Sequence, residues 1–235
     1  MNSNISDVKV NIEGLSQLIK DCLPDVIFVS ELSDENRKRL GDLLGKDYEY
    51  TIFEDGVPHS FYSRYKLTEW EILENSSIKG ACRCSIEINE RAISLYGCHF
   101  ASNNYSIDNE YYTPGRINGL GGLKKYLRNI KLACRQRAVE AQNLRSVVER
   151  DSHSMIVMGD FNDVSGSKTM SLIEDAGLMD AWWNLGRGYG ATIHYPLPFR
   201  IDHILYSGGI KLRDVNVIRT KDLSDHDAIM AEFVI

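Results

Sequence analysis

The sequence predicts a mixed-sheet α/β domain, and three observations carry that prediction. Helical and strand-like stretches are interspersed along the whole chain, hairpin-like strands follow one another between about residues 48 and 98, and several strand segments are apolar at nearly every position. A strand apolar on both faces is one that is covered on both faces, as in the central strands of α/β proteins.

The elements follow in order. In "VNIEGLSQLIKDCL", Ile12, Leu15, Leu18 and Ile19 recur at helical spacing, and Pro24 stops the helix. "DVIFVSE" is a short, nearly all-apolar strand, and "DENRKRLGDLLG" is a second helix closed by Gly45. Strands are expected near 48–53, 59–63, 69–74, 80–88 and 91–98, then a long helical region from about 117 to 150. "SMIVMGD" is the next buried strand. A helix near 168–176 and strands near 200–206, 212–218 and 227–234 complete the chain.

Composition sets the frame. With 235 residues, 43% of them hydrophobic, residues 1–235 can bury one full core, and no linker, repeat or low-complexity run divides them. No apolar run approaches the roughly 18–20 residues of a membrane span, and "MNSNISDVKV" lacks the basic and apolar regions of a signal peptide. The five cysteines, Cys22, Cys82, Cys84, Cys98 and Cys134, are odd in number and lack a CxxC pair, which fits reduced thiols and a cytoplasmic setting. Cys82 and Cys84 share one strand face and read as small buried apolar residues. Net charge is −6, yet residues 116–150 hold nine Lys and Arg against Glu140 and Glu149. That basic stretch is either a phosphate-facing surface or the solvated face of a helix.

The candidate chemistry lies where apolar strands end. "DVIFVSE" ends on Glu31, "AISLYGCHF" carries His99 at its end, and "MIVMGDFND" runs into Asp160 and Asn162. Strands of one α/β domain deliver their carboxyl ends to a common edge, where sites are built. Taken alone, an Asp or Asn there starts a turn equally well. Two further segments change the balance. "PFRIDHILYS" puts Asp202 on the strand face opposite His203, and "LSDHDAIMAEF" sets Asp225 and His226 just before an alternating strand. Asp202 bonded to one nitrogen of His226 would fix its tautomer and raise its basicity. His59, His153, His194 and His203 read as loop, turn or ordinary strand histidines.

The ordered segments "PDVIFVSE", "FYSRYKL", "LYGCHFAS", "MIVMGDFND", "RIDHILYS" and "SDHDA" resemble the endonuclease/exonuclease/phosphatase superfamily, over residues 24–235. The resemblance implies a four-layered α/β sandwich with two central mixed β-sheets flanked by helices. It also implies a metal-dependent phosphoester hydrolase. Glu31 and Asp225 match metal-binding carboxylates suited to Mg²⁺ or Mn²⁺. Asp160 and Asn162 match the pair that holds the attacking water; either Asp160 or His226 could take its proton, and Asp160 is taken as the base. Asp202 matches the aspartate that orients His226, and His226 and His99 match donors to the phosphate oxygens.

One departure concerns the start of the chain. The family's first strand, which ends in an Asn that helps bind the metal or phosphate, reads as missing or truncated; Asn2 stands nearest its place, with Asn4 as the second choice. The substrate class stays open at this level. The resemblance admits a phosphodiesterase acting on nucleic acid, a phosphatase of small or lipid phosphoesters, or a binding protein that has lost activity. Tyr111, Tyr112, Arg116, Lys124, Lys125 and Arg128 are candidates for contacts to a nucleic acid, or for a surface loop followed by a solvated helix.

Overall fold

The computed structural model describes residues 1–5, 11–73, 80–103, 119–194 and 197–235. The elements are β1 (Asn2–Asn4), α1 (Ile12–Cys22), β2 (Val26–Ser30), α2 (Asp34–Leu44), β3 (Tyr50–Phe53), β4 (His59–Ser63), β5 (Thr68–Ile72), β6 (Ala81–Ile88), β7 (Arg91–His99) and α3 (Gly119–Val148). They continue with β8 (Ser154–Asp160), α4 (Lys168–Glu174), β9 (Leu178–Asp180), α5 (Ala181–Leu185), β10 (Asp202–Ser207), β11 (Lys211–Ile218) and β12 (Ala228–Val234). Among the described residues no helix is long and apolar enough to cross a membrane.

The described residues form two six-stranded mixed sheets, in the orders β11-β12-β1-β2-β4-β3 and β5-β6-β7-β8-β10-β9. Each has a parallel pair at its centre, β1 with β2 and β7 with β8, and is otherwise antiparallel. Three apolar layers separate four layers of structure. Ile12, Leu15 and Ile19 of α1 with Leu40 and Leu44 of α2 pack on Ile27 and Val29 of β2. Phe28, Leu95, Ile156, Met158, Ile204 and Ile229 fill the space between the sheets. Ala141, Leu144 and Val148 of α3 and Met170 and Ile173 of α4 cover Tyr96, Met155 and Val157. The period of two accounts for the all-apolar strands, since Ile27 and Val29 face helices while Phe28 faces the other sheet.

The local stops are those the chemistry favours. Asn11 accepts from Gly14 N at 2.9 Å to cap α1, and Leu23 leaves that helix in a left-handed conformation before Pro24. Ser33 caps α2, which Gly45 closes at φ +57°. The buried Arg37 of α2 donates to Leu32 O at 3.0 Å and also to Val57 O, fastening the helix to the turn that leads into β4.

The first strand, expected to be missing or truncated, is present in short form. β1 has three residues and lies inside its sheet, parallel to β2 and antiparallel to β12. Its polar Asn-Ser-Asn is too brief to show any periodicity. β9 and α5 were not foreseen either, each being at most five residues long. The cysteines are free, with Cys82, Cys84 and Cys98 buried.

Close approach of the sheets depends on Gly97 of β7, where a Cβ would stand 2.2 Å from Phe28 Cε2. Gly97→Ala is therefore expected to push Phe28 out of place and cost about 1–3 kcal/mol. Urea unfolding of the variant beside the parent measures it; an unchanged midpoint would show that the seam between the sheets yields freely.

Candidate active site

The topology brings one edge of each sheet to the same place. The carboxyl ends of β1, β2, β7 and β8 carry Asn4, Glu31, His99 and Asp160. The antiparallel strands β10 and β12 begin there, so Asp202 and His226 enter from the opposite direction. Asp202 pairs with Asp160 across β10 and β8, and His99 with Asp160 across β7 and β8.

The side chains then converge. His226 Nδ1 stands 2.8 Å from Asp202 Oδ2, with both residues buried. Asp202 Oδ1 accepts from Asn2 Nδ2 at 3.2 Å. Asp160, Asp202 and His226 each offer a ligand atom within 4.8 Å of one another. Asn4 Nδ2 donates to Asp160 Oδ2 at 2.8 Å and lies 3.4 Å from Glu31 Oε1, while Ser30 Oγ donates to Asn4 Oδ1 at 3.1 Å. His99 Nε2 is 3.1 Å from Glu31 Oε1 and 4.0 Å from Asp160 Oδ2. The Glu31 side chain is 37% exposed, so its carboxylate opens to solvent at the mouth of an otherwise buried cluster. Asp225 is exposed at the rim, next to Ser224, whose Oγ donates to Asn4 O at 2.7 Å.

Two of these residues hold left-handed backbone conformations uncommon outside glycine, Glu31 at φ +66° and Asn162 at φ +50°. At Asn162 that turn lets the backbone N–H donate to Asp160 Oδ1 at 2.7 Å, while Nδ2 bridges Phe100 O and Asp160 Oδ2. Asn162 thereby fixes the orientation of the Asp160 carboxyl.

The electrostatics divide the cluster. Burial, and next the neighbouring Asp202 carboxylate, push Asp160 up to about 6. Burial works against a charged His226, but Asp202 outweighs it and raises that imidazole to about 10.

Asn2 and Asn4 exchange the places expected of them. Alternation puts both on one face of β1, but Asn4 is one step nearer the mouth. Asn2, taken as a metal ligand from the sequence, is sealed beneath Asp202, and Asn4 is the residue in reach of Glu31 and Asp160.

Other histidines differ from expectation too. His59, beside a proline but at the start of the strand expected near 59–63, begins β4 opposite Ser30 and is 1% exposed with its ring against Phe28 and His99, so its burial is what the sequence did not show. Neither of its ring nitrogens has a hydrogen-bond partner among the described residues. His203 does face away from Asp202, into a buried network. Its Nδ1 is 3.0 Å from Asp180 Oδ2 and its Nε2 is 2.9 Å from Asp163 O, while Arg200 Nη1 donates to Asp180 Oδ2 at 2.9 Å. That network braces the loop that follows Asp160 and Asn162, and strand alternation predicts only the direction of His203.

In the basic stretch, Lys124, Lys125, Arg128, Lys131 and Arg135 are exposed on α3. Arg137 is instead buried, its Nε donating to Asp163 Oδ2 at 3.2 Å and its Nη1 to Ala101 O at 3.0 Å. Tyr111, Tyr112 and Arg116 lie outside the described residues.

The family model described as "Endonuclease/Exonuclease/phosphatase family" matches residues 9–226. Comparison with curated proteins gave no match. Among solved structures, the chain is similar to a TDP2 of D. rerio humanized by 14 mutations, at 16% identity and TM-score 0.73, over 100% of this chain and 97% of that one. It is similar to the 3′ phosphatase NExo from Neisseria bound to a product DNA hairpin, at 17% identity and TM-score 0.72, over 100% and 98%. It is also similar to an AP endonuclease from Archaeoglobus fulgidus, at 14% identity and TM-score 0.71, over 100% and 98%.

The neutral, buried His59 makes stability depend on pH. Burial above all, then His99 and Arg37, hold it down to about 3, against an ordinary 6.5. The unfolded chain therefore binds the extra proton between those values, so this contribution is complete above pH 6.5 and is lost as pH falls toward 3. It amounts to at most about 1.4 kcal/mol per pH unit. Denaturant midpoints from about pH 7 to about pH 4 check it, with His59→Phe expected to lose less stability over that interval than the parent. Parallel curves would assign the pH dependence to other groups.

Proposed function

The chain belongs to the endonuclease/exonuclease/phosphatase family, whose members are phosphoester hydrolases, and from that premise we propose that it is a metal-dependent phosphodiesterase acting on nucleic acid. The observation that carries this reading is the Asp202–His226 pair at 2.8 Å, set beside Asp160 where the two sheets meet. Residues from Asn2 to His226 build that one cluster, which supports taking residues 1–235 as a single catalytic domain.

The donor set fits a hard divalent cation. Glu31, Asp160 and Asp202 converge on one mouth, and Asp160 sits at about 6 because burial and a neighbouring carboxylate leave its charge poorly compensated. Glu31 and Asp225, oxygen donors open to solvent at the rim, would hold Mg²⁺ or Mn²⁺. When bound, the ion supplies positive charge to a phosphate oxygen and to the developing transition state.

The protein's own groups perform the remaining steps. Asp160, ionised through most of the neutral range and oriented by Asn162 and Asn4, takes the proton of the attacking water. His226, which Asp202 raises to about 10, is assigned the donor's part instead. With Nδ1 tied to Asp202, its Nε2–H is left to donate to a non-bridging phosphate oxygen. His99, whose Nε2 lies beside Glu31, offers a second ring at the same mouth. The exposed basic face of α3 supports a polyanionic substrate, as does the DNA-bound state of the Neisseria relative.

An activity panel with Mg²⁺ and Mn²⁺ tests the reading, using bis-para-nitrophenyl phosphate, para-nitrophenyl phosphate, oligonucleotides and inositol phosphates. Diesters and oligonucleotides are expected to be cleaved in preference to monoesters. Glu31→Gln is expected to weaken metal binding and turnover together, and unchanged turnover under a strong chelator would sink the metal's role. His226→Ala is expected to lower turnover by roughly 10² to 10⁴ with little effect on folding, and Asp202→Asn to act the same way but less. Full activity in either variant would remove the pair from the chemistry.

A further inference from the structure

A cavity of about 460 Å³ opens beside the candidate centre, and nothing in the chemistry above uses it. One wall is Val164 and Ser165, in the loop that follows Asp160 and Asn162; the others include Trp183, Tyr189 and Phe199. These three rings face water, Trp183 being 79% exposed, Tyr189 60% and Phe199 39%. Among the described residues of the lining, Arg200 alone is charged.

The turn that carries one of these rings is held in place. Trp182, directly before Trp183 in α5, is wedged under the turn that carries Tyr189. Its Nε1 donates to Gly188 O at 3.3 Å, and a Cβ on Gly186 or Gly190 would come within 2.3 or 2.2 Å of its indole. Gly188 and Gly190 also hold positive φ, so the turn needs glycine on both counts. At the base of the cavity Arg200 is buried and fixed by Asp180 and by the Ser165 hydroxyl. Phe199 and Arg200 of the lining lead along the chain to Asp202, whose backbone N–H, like that of Ile201, donates to Thr192 Oγ1 at 3.2 Å.

We propose that this cavity is a stacking site for one unpaired nucleobase, carried by the nucleotide adjacent to the phosphate at the centre. The inference rests on the phosphodiesterase reading for its substrate and deepens it to single strands or frayed ends. Flat rings without a carboxylate among them suit the π-face of a base attached to an anionic backbone. A base inside a duplex keeps its faces stacked on its neighbours, so only an unpaired one offers a face to Trp183. The cavity's size lies in the usual range of small-ligand pockets, and the loop at Val164 and Ser165 follows directly on Asp160 and Asn162, which would hold the attacking water.

The test separates stacking from catalysis. Binding of a fluorescent ten-residue oligothymidylate is measured by anisotropy in EDTA, where nothing is cleaved, for the parent, Trp183→Ala, Trp183→Phe and Tyr189→Ala. Trp183→Ala is expected to weaken binding by roughly 5- to 150-fold, with Trp183→Phe recovering most of the loss. The slope of log affinity against log salt is expected to stay the same, since no phosphate contact is removed. Binding of a blunt duplex is expected to be unaffected by the substitution. Equal affinities of parent and Trp183→Ala, or no binding by the parent, would overturn the proposal. Self-association abolished by Trp183→Ala with oligothymidylate affinity intact would overturn it too and assign the rings to a second copy of the chain. A parent that binds the oligonucleotide through Trp183 yet hydrolyses no phosphoester would refute the enzymatic reading while upholding the stacking site.

Discussion

Asn4 Nδ2 donates to Asp160 Oδ2 at 2.8 Å across the seam between the two sheets, and the candidate centre is arranged around that bond. Both residues are almost wholly buried, so each polar atom must find a partner or cost free energy. Asn4 meets the requirement on both sides of its amide, since Nδ2 serves Asp160 and Oδ1 accepts from Ser30. Ser30 is the last residue of β2, so the same contact fixes where Glu31 leaves its strand. A three-residue strand without apolar side chains contributes little burial of its own. Its placement is specified by backbone pairing to β2 and β12 and by the two asparagines that reach into the other sheet.

The loops at that edge are held from behind. The turn at Asn162 takes a left-handed conformation, and the chain then passes over His203, Asp180 and Arg200. Those three groups form a buried ionic network whose partners come from the β8 loop, β9 and the approach to β10. Asp180 is held well below the usual carboxylate range, because His203 and Arg200 more than offset the burial that acts against its charge. Arg137 does comparable work from the helical side, linking α3 to Asp163 and to Ala101 beyond β7. A residue that counted as part of a basic surface in the sequence is therefore a brace for two site loops.

The buried strands β2, β7 and β8 were legible because strands covered on both faces leave an unbroken apolar run, and that run ended each time on a residue capable of chemistry. Asp202 and His226 were legible as a pair because strand alternation sets Asp202 opposite His203, and His226 comes just before an alternating strand. What escaped was decided by tertiary neighbours. His59 opens a strand that was expected, but its burial against Phe28 and His99 is set by the other sheet. Asn2 and Asn4 share a face and a residue type, so only the position of the other sheet distinguishes them. β9 and α5 are too short for periodicity, and α5 is organised by the Asp180 carboxylate, which accepts from Trp183 N at 3.1 Å as its cap.

The roles assigned to Asp160 and His226 follow from an asymmetry between two neighbouring carboxylates. Asp202 has an imidazole at 2.8 Å on one oxygen and the Asn2 amide on the other. Asp160 has closer contacts only to neutral donors, the Asn162 backbone, the Asn162 amide and the Asn4 amide, with the His99 ring at 4.0 Å. Neutral donors orient a carboxylate but offset its burial less than a cation does. The result is Asp160 raised to about 6 and His226 raised to about 10, within 4.8 Å of each other, and the proposed roles of base and donor draw on that separation. Environments that push neighbouring titratable groups apart in this way separate the base from the donor before any substrate arrives. The same asymmetry leaves the uncompensated charge on the Asp160 side, toward Glu31 and the open mouth, where a hard cation and a phosphate would meet it.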